Sequence, residues 1–353
     1  MSQEPNPVPV PVSTAPRRTR WGGVGITLLV LALVALSGWA AWQHYVTPLP
    51  QQPSVAQAPP VWVDCVLFHP DGKTLVTAQD KTVTVWDAVS AAKLRSFEAH
   101  ESQVVSLAFS QDGKRLATAS TDRTFKIWDF DKGTEIAVLK GHTVSGTAVA
   151  FSSDGHTMAT AAAIANPMNP VIELRLWDGG KPIADLGGHN NAIGSLLFLP
   201  DGRQLLTASR DGTIRVWDVA KRQTVRTLPC GAPISSLVLS PDAKTLAVGL
   251  YTNEAALWDV GTWKEKKRLQ GHGDRVSAVA FSRDGKTLAS ASDDHTIKLW
   301  DLSAGTSQAT LHGHTGYVTS VSFGADGVLA SGSADTHVRL WDTAEGKERS
   351  ILQ

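Results

Sequence analysis

The chain has 353 residues, room for one large all-β domain or two smaller ones, and 33 basic against 33 acidic side chains give a formal net charge of zero. Arg17, Arg18 and Arg20 outweigh Glu4 within the first 60 residues, so the remainder stands at −2, a balance that excludes nucleic acid as a partner held by its phosphates. The two cysteines, Cys65 and Cys230, lie far apart with no metal-ligand spacing, so they read as small core or loop residues and no metal or cofactor is implied.

Residues 1–20 carry Pro5, Pro7, Pro9, Pro11 and Pro16 and read as a disordered cytoplasmic tail. Residues 21–42, WGGVGITLLVLALVALSGWAAW, hold no charge, and at about 1.5 Å rise each they span about 33 Å, enough for a hydrocarbon core. Three arginines stand just before this stretch and no charge follows until Asp64, which predicts a signal anchor in the bilayer with the N-terminus cytoplasmic. Everything after it is then extracytoplasmic, periplasmic in a bacterium. A cleaved signal peptide is the competing reading, because Ala35, Ser37, Gly38 and Ala40 are small; the length of the stretch and the bulk of Trp39 and Trp42 argue against it. Residues 43–60, with Pro48, Pro50, Pro53, Pro59 and Pro60, read as a semi-stiff linker.

From residue 61 to 353 one unit repeats. Trp86, Trp128, Trp177, Trp217, Trp258, Trp300 and Trp341 are each followed by Asp, at spacings of 42, 49, 40, 41, 42 and 41. Each pair closes an alternating run such as TVTVWD or TIRVWD. A run such as TLVTA or TLASA precedes it, and before that comes one such as VDCVLF or VSAVAF. Turns on Asp71-Gly72, Asp112-Gly113 and Asp284-Gly285 join those two, and a fourth run such as KLRSF follows the Trp-Asp. With seven copies, the sequence resembles the WD-repeat family. The resemblance implies an all-β, seven-bladed propeller of four-stranded blades around a channel, which buries both faces of every sheet. KERSILQ at the end matches the outer-strand phrase KLRSF, so residues 347–353 are expected to complete blade seven themselves. Blades one and seven would then meet through side-chain packing alone.

Four repeats carry a matched polar set. These are His100, Thr118 or Ser120, Asp122 and Trp128; His189, Thr207 or Ser209, Asp211 and Trp217; His272, Ser290 or Ser292, Asp294 and Trp300; and His314, Ser331 or Ser333, Asp335 and Trp341. His, Ser and Asp together invite a hydrolase reading, but chemistry needs one such set and architecture repeats it. The resemblance implies instead a hydrogen-bond network tying the loop before each innermost strand to the turn in the same blade. Blade one keeps Asp80 and Trp86 but has Pro59 at the histidine position. Blade three keeps His142 but puts an insertion, 162–170, where the turn Asp belongs. Blade five has Gly231 for histidine and Thr252-Asn253 for Asp, and all three are expected to be locally weaker.

Aligned repeats place one residue before each innermost strand, at the channel mouth: Trp62, Gln103, Ser145, Ala192, Pro233, Arg275 and Tyr317. Arg, Tyr and Trp combine contact area with a directed polar group, so blades six, seven, one and two present a candidate partner-binding patch. A second ring offers Gln79, Thr121, Arg210 and Asp293, and the blade-three insertion adds Asn166 and Met168. The expected function is a membrane-anchored interaction scaffold or recognition module, not an enzyme. It would contact protein partners through this face and the lipid bilayer through residues 21–42. An extracytoplasmic enzyme or sensor using the channel for a small ligand is the alternative, which bound metal or turnover would favour.

Overall fold

The computed structural model describes residues 61–164 and 170–352. The predicted tail, anchor and linker (1–20, 21–42 and 43–60) lie outside these, and among the described residues no helix is long and apolar enough to cross a membrane. The described strands form seven antiparallel sheets of four, each in chain order from innermost to outermost. The blades span 63–98, 104–139, 146–185, 193–229, 234–270, 276–311 and 318–352.

Burial explains the composition of each strand. Second strands such as Thr287–Ser292 (TLASAS) are covered on both faces, which favours small Ala and Ser beside one Leu. Third strands such as Ile297–Asp301 bury the apolar residues and Trp300, while outer strands such as Lys264–Gln270 are mostly exposed and charged. The turn of blade one shows why Asp-Gly recurs. Asp71 Oδ1 accepts from the amides of Lys73 and Thr74 at 2.7 and 2.9 Å, and Gly72 takes φ 75°, where a Cβ would be strained.

Seven apolar clusters form the core, each packed between two neighbouring blades. Each buried Leu, Val or Phe in such a cluster contributes about 1.5–3 kcal/mol, so stability lives in the seams between sheets.

The end of the ring agrees with expectation. Lys347–Leu352 is the outer strand of blade seven, paired with Val338–Asp342. Val63, Val66, Phe68 and Leu75 of blade one pack on Ala330, Val338, Leu340 and Leu352 of blade seven. Packing is not the whole seam, however. Val66 and Phe68 donate their amides to the hydroxyls of Ser320 and Ser322 at 3.1 and 3.0 Å. Alternating serines thus bond two blades that share no ladder.

Candidate functional site

The polar sets assemble as expected, and the structure decides which hydroxyl belongs to them. His100 Nδ1 lies 2.9 Å from Asp122 Oδ2 and Nε2 lies 2.6 Å from Thr118 Oγ1, while Trp128 Nε1 donates to Thr118 Oγ1 at 3.1 Å. Ser120 is not a member; it donates to Ser102 O. The same chain runs through His189, Asp211, Thr207 and Trp217, through His272, Asp294, Ser290 and Trp300, and through His314, Asp335, Ser331 and Trp341. One proton order satisfies every atom. The indole donates to the hydroxyl, the hydroxyl to Nε2, and Nδ1–H to the carboxylate, which fixes a neutral histidine. Thr118, Thr207, Ser290 and Ser331 are fully buried, so no substrate reaches a nucleophile there.

Burial pushes His100, His272 and His314 below the ordinary histidine value, against their carboxylate partners. Burial alone would raise Asp294 and Asp335, but hydrogen bonds reverse it. Thr296, Gly273 and His272 hold Asp294 at about 2. Thr315, His314 and His337 hold Asp335 at about 2.

Of the three departing blades, two differ from expectation. Blade three does not lack the set: Glu173 supplies the carboxylate, with His142 Nδ1 at 2.7 Å from Oε2 and His142 Nε2 at 2.8 Å from Thr160 Oγ1, and Trp177 closes the set. Glu173 stands four residues before its Trp, where blades one, two, four and six carry Thr, and its longer side chain reaches back to the histidine. In blade one Asp80 does not occupy the Asp122 position. Gln79 pairs with Thr82, so the turn is one residue shorter and Asp80 sits at its corner with φ 50°. Blade five does lose the set. Val248 replaces the hydroxyl, and the buried Trp258 Nε1 has no acceptor among the described residues. An Arg268 cluster compensates in part, bonding Glu254 at 3.0 Å and Cys230 O at 3.1 Å. Val248→Thr should therefore stabilise the protein by about 1 kcal/mol, because Thr matches Val in shape and accepts from the indole as Thr77 does from Trp86. A urea melt that is unchanged or weaker would show that the indole is satisfied otherwise.

At the channel mouth the two rings are coupled by backbone. The carbonyls of Gln103, Ala192, Pro233, Arg275 and Tyr317 accept from the amides of Thr121, Arg210, Tyr251, Asp293 and Ala334, at 2.9 to 3.1 Å. A cavity of about 440 Å³ opens there, and Trp62, Arg210, Arg275, Asp293 and Tyr317 line it. Gln103 reaches it through Asp64 Oδ1, to which its amide donates at 2.7 Å. Trp62 and Tyr317 are 45% and 44% exposed, unusual for rings of that size. Arg275 pairs with Asp293 and lies 5.0 Å from the Tyr251 ring, with Arg210 5.7 Å from the same ring. Asn166 and Met168 lie outside the described residues, and the blade-three hairpin is followed as far as the Ile164–Val171 pair.

Sequence reading missed Tyr251, His295 and Asp64. Tyr251 holds the second-ring position of blade five, and the His295 ring lies tilted against that of Tyr317, centroids 5.7 Å apart. Asp64 belongs to a third ring. Every innermost strand has a bulge at its second residue, and the bulged residues Asp64, Val105, Thr147, Gly194, Ser235, Ser277 and Thr319 all line the cavity. A bulge re-aims its side chain, here into the channel throat. Asp64 is the one ionisable member; burial, helped by Asp80, pushes its carboxyl up to about 6 against the Gln103 bond. Among the described residues no group of three or more His, Cys, Asp or Glu is placed to hold a metal ion. A larger cavity, about 570 Å³, lies in the seam between blades five and six and lacks such a convergence of aromatic and charged groups.

The WD domain, G-beta repeat, matches residues 55–87, 91–129 and 133–163, and the echinoderm microtubule-associated protein second beta-propeller matches 193–352. Among curated relatives, Periodic tryptophan protein 2 of Arabidopsis thaliana is 33% identical over 209 residues, 56% of this chain and 22% of that protein. Target of rapamycin complex subunit wat1 of Schizosaccharomyces pombe is 26% identical over 202 residues, 56% of this chain and 48% of that protein. The WD repeat-containing protein WDS homolog of Arabidopsis thaliana is 29% identical over 225 residues, 62% and 42% of the two chains. The matches thus span less than half the length of these relatives. WD40 repeats in a seven-bladed propeller are what sequence, structure and comparisons share.

Proposed function

We propose that this protein is a membrane-anchored interaction scaffold that engages protein partners through the channel-mouth face. The observation that carries the reading is the cluster of exposed Trp62 and Tyr317 with Arg210, Arg275 and Tyr251 around one opening. Such groups give contact area and direction where a partner's side chains enter. The sealed hydroxyls of the polar sets support a binding role, and the similarity to a subunit of a named complex is of the same kind. The anchor rests on residues 21–42, and the reading places the N-terminus in the cytoplasm and the propeller outside it.

Photo-crosslinking tests this in native membranes. A benzophenone amino acid at Tyr317 should capture a defined partner, one at the exposed Val225 on an outer strand should not, and Trp62→Ala with Arg275→Ala should abolish the capture. Equal capture from both positions would refute the face. Alkaline carbonate should leave the full chain in the membrane pellet and release a chain lacking 21–42; release of both would refute the anchor.

A further inference from the structure

The throat ring divides by chemistry. Thr147, Ser235, Ser277 and Thr319 each donate a hydroxyl to the carbonyl of the first inner-strand residue of the next blade: Ile193, Val276, Val318 and Val63. Asp64 occupies the same bulge in blade one, and an ionised carboxylate cannot donate. It is instead an acceptor. Gln103 serves Oδ1, while the buried Oδ2 has no hydrogen-bond partner among the described residues. A buried carboxylate oxygen left unmatched is costly, and native structures keep such groups for a reason.

Charge around Asp64 is also unbalanced. Asp80 adds repulsion, and of the two cations lining the same mouth Arg275 is committed to Asp293 and the Tyr251 ring while Arg210 lies over that ring, and neither is ion-paired with Asp64. The rim above holds Trp62 and Tyr317, whose faces favour a cation.

We propose that Asp64 is the recognition group for a lysine or arginine side chain of the partner protein, inserted through the mouth past Trp62 and Tyr317. The chemistry needed is a long apolar stem ending in several N–H donors and a positive charge. Lysine and arginine alone among side chains supply that. A metal ion is disfavoured, because among the described residues no group of three or more His, Cys, Asp or Glu is placed to hold one. This inference deepens the scaffold reading and rests on it for the identity of the ligand as a protein.

Calorimetric titration of the full chain in detergent, with acetyl-Gly-Gly-Arg-Gly-Gly-amide and its Lys and Gln counterparts, tests it. The Arg or Lys peptide should bind about tenfold or more tightly than the Gln peptide, and Asp64→Asn should remove that preference. Gln103→Ala frees the second oxygen and should keep or tighten binding. If Asp64 merely braced the throat, both substitutions would act alike on the fold and neither on the preference. Equal binding of Arg and Gln peptides, no binding of any peptide at millimolar concentration, or an Asp64→Asn variant that folds and retains the preference overturns the proposal. If Tyr317 crosslinks a partner while the peptides fail, the cation site falls and the scaffold stands. If the peptides bind through Asp64 while no partner is crosslinked, the reverse holds.

Discussion

Removing residues 347–353 is expected to lower the melting temperature by about 10 °C or more, corresponding to about 5 kcal/mol for a domain of this size. The outer strand Lys347–Leu352 is the sole ladder partner of Val338–Asp342 on that side. Its loss strips cover from Trp341, 1% exposed, and deletes Leu352, which packs into the blade-one seam. Losing Leu352 alone costs about 2–3 kcal/mol through lost burial and the void it leaves. The ladder bonds and the bared edge of blade seven add to this, and the edge invites pairing between molecules. The truncated protein should therefore melt at lower temperature and aggregate more at higher concentration. Arg349→Ala, on the exposed part of the strand, should change stability by less than about 0.5 kcal/mol. A truncated chain that melts like the full one would mean that blade seven is closed by something other than this strand.

The propeller was legible because it is written seven times; the Trp-Asp spacing and turn residues over-determine blade number and strand order. The four complete polar sets were legible for the same reason, except for the choice between Thr118 and Ser120, which depends on which face of the second strand meets the Trp. What failed was anything that breaks register. Glu173 was hidden because the insertion removed the expected Asp, and a substitute four residues before the Trp is visible only when the hairpin is followed through. Asp80 misled because a turn one residue shorter keeps its distance from Trp86 while changing its distance from Thr77. Tyr251 could have been found by carrying the second ring through blade five, whose missing His and Asp obscured it. Asp64 had no signal at all, since a bulge leaves no trace in the alternation of side chains along a strand.

The polar sets should also make the protein acid-labile above the range where carboxylates titrate. Burial holds His100, His142, His272 and His314 below the ordinary value of 6.5, and the carboxylate beside each only partly offsets that. An unfolded chain takes up these protons near pH 6.5 while the folded one refuses them. The unfolded state therefore binds more protons, and stability rises with pH through this window. Stability is complete above about pH 6.5 and falls below it, by up to about 1.4 kcal/mol per pH unit for each histidine. A second loss follows at lower pH. Asp294 and Asp335, at about 2, and Asp122, Asp211 and Glu173, held below their ordinary values, contribute stability present above the unfolded carboxylate range and lost beneath it. Both stages act in one direction, because each network binds a neutral imidazole to an ionised carboxylate and protonation of either member breaks it. Urea unfolding from pH 8 to pH 4 should show a plateau, then a decline beginning near pH 6.5 and steepening below about 4.5. A free energy of unfolding that stays level between pH 7.5 and 5.5 would mean that these histidines gain protons in the folded ring, and the proton order assigned to these four networks would have to be abandoned.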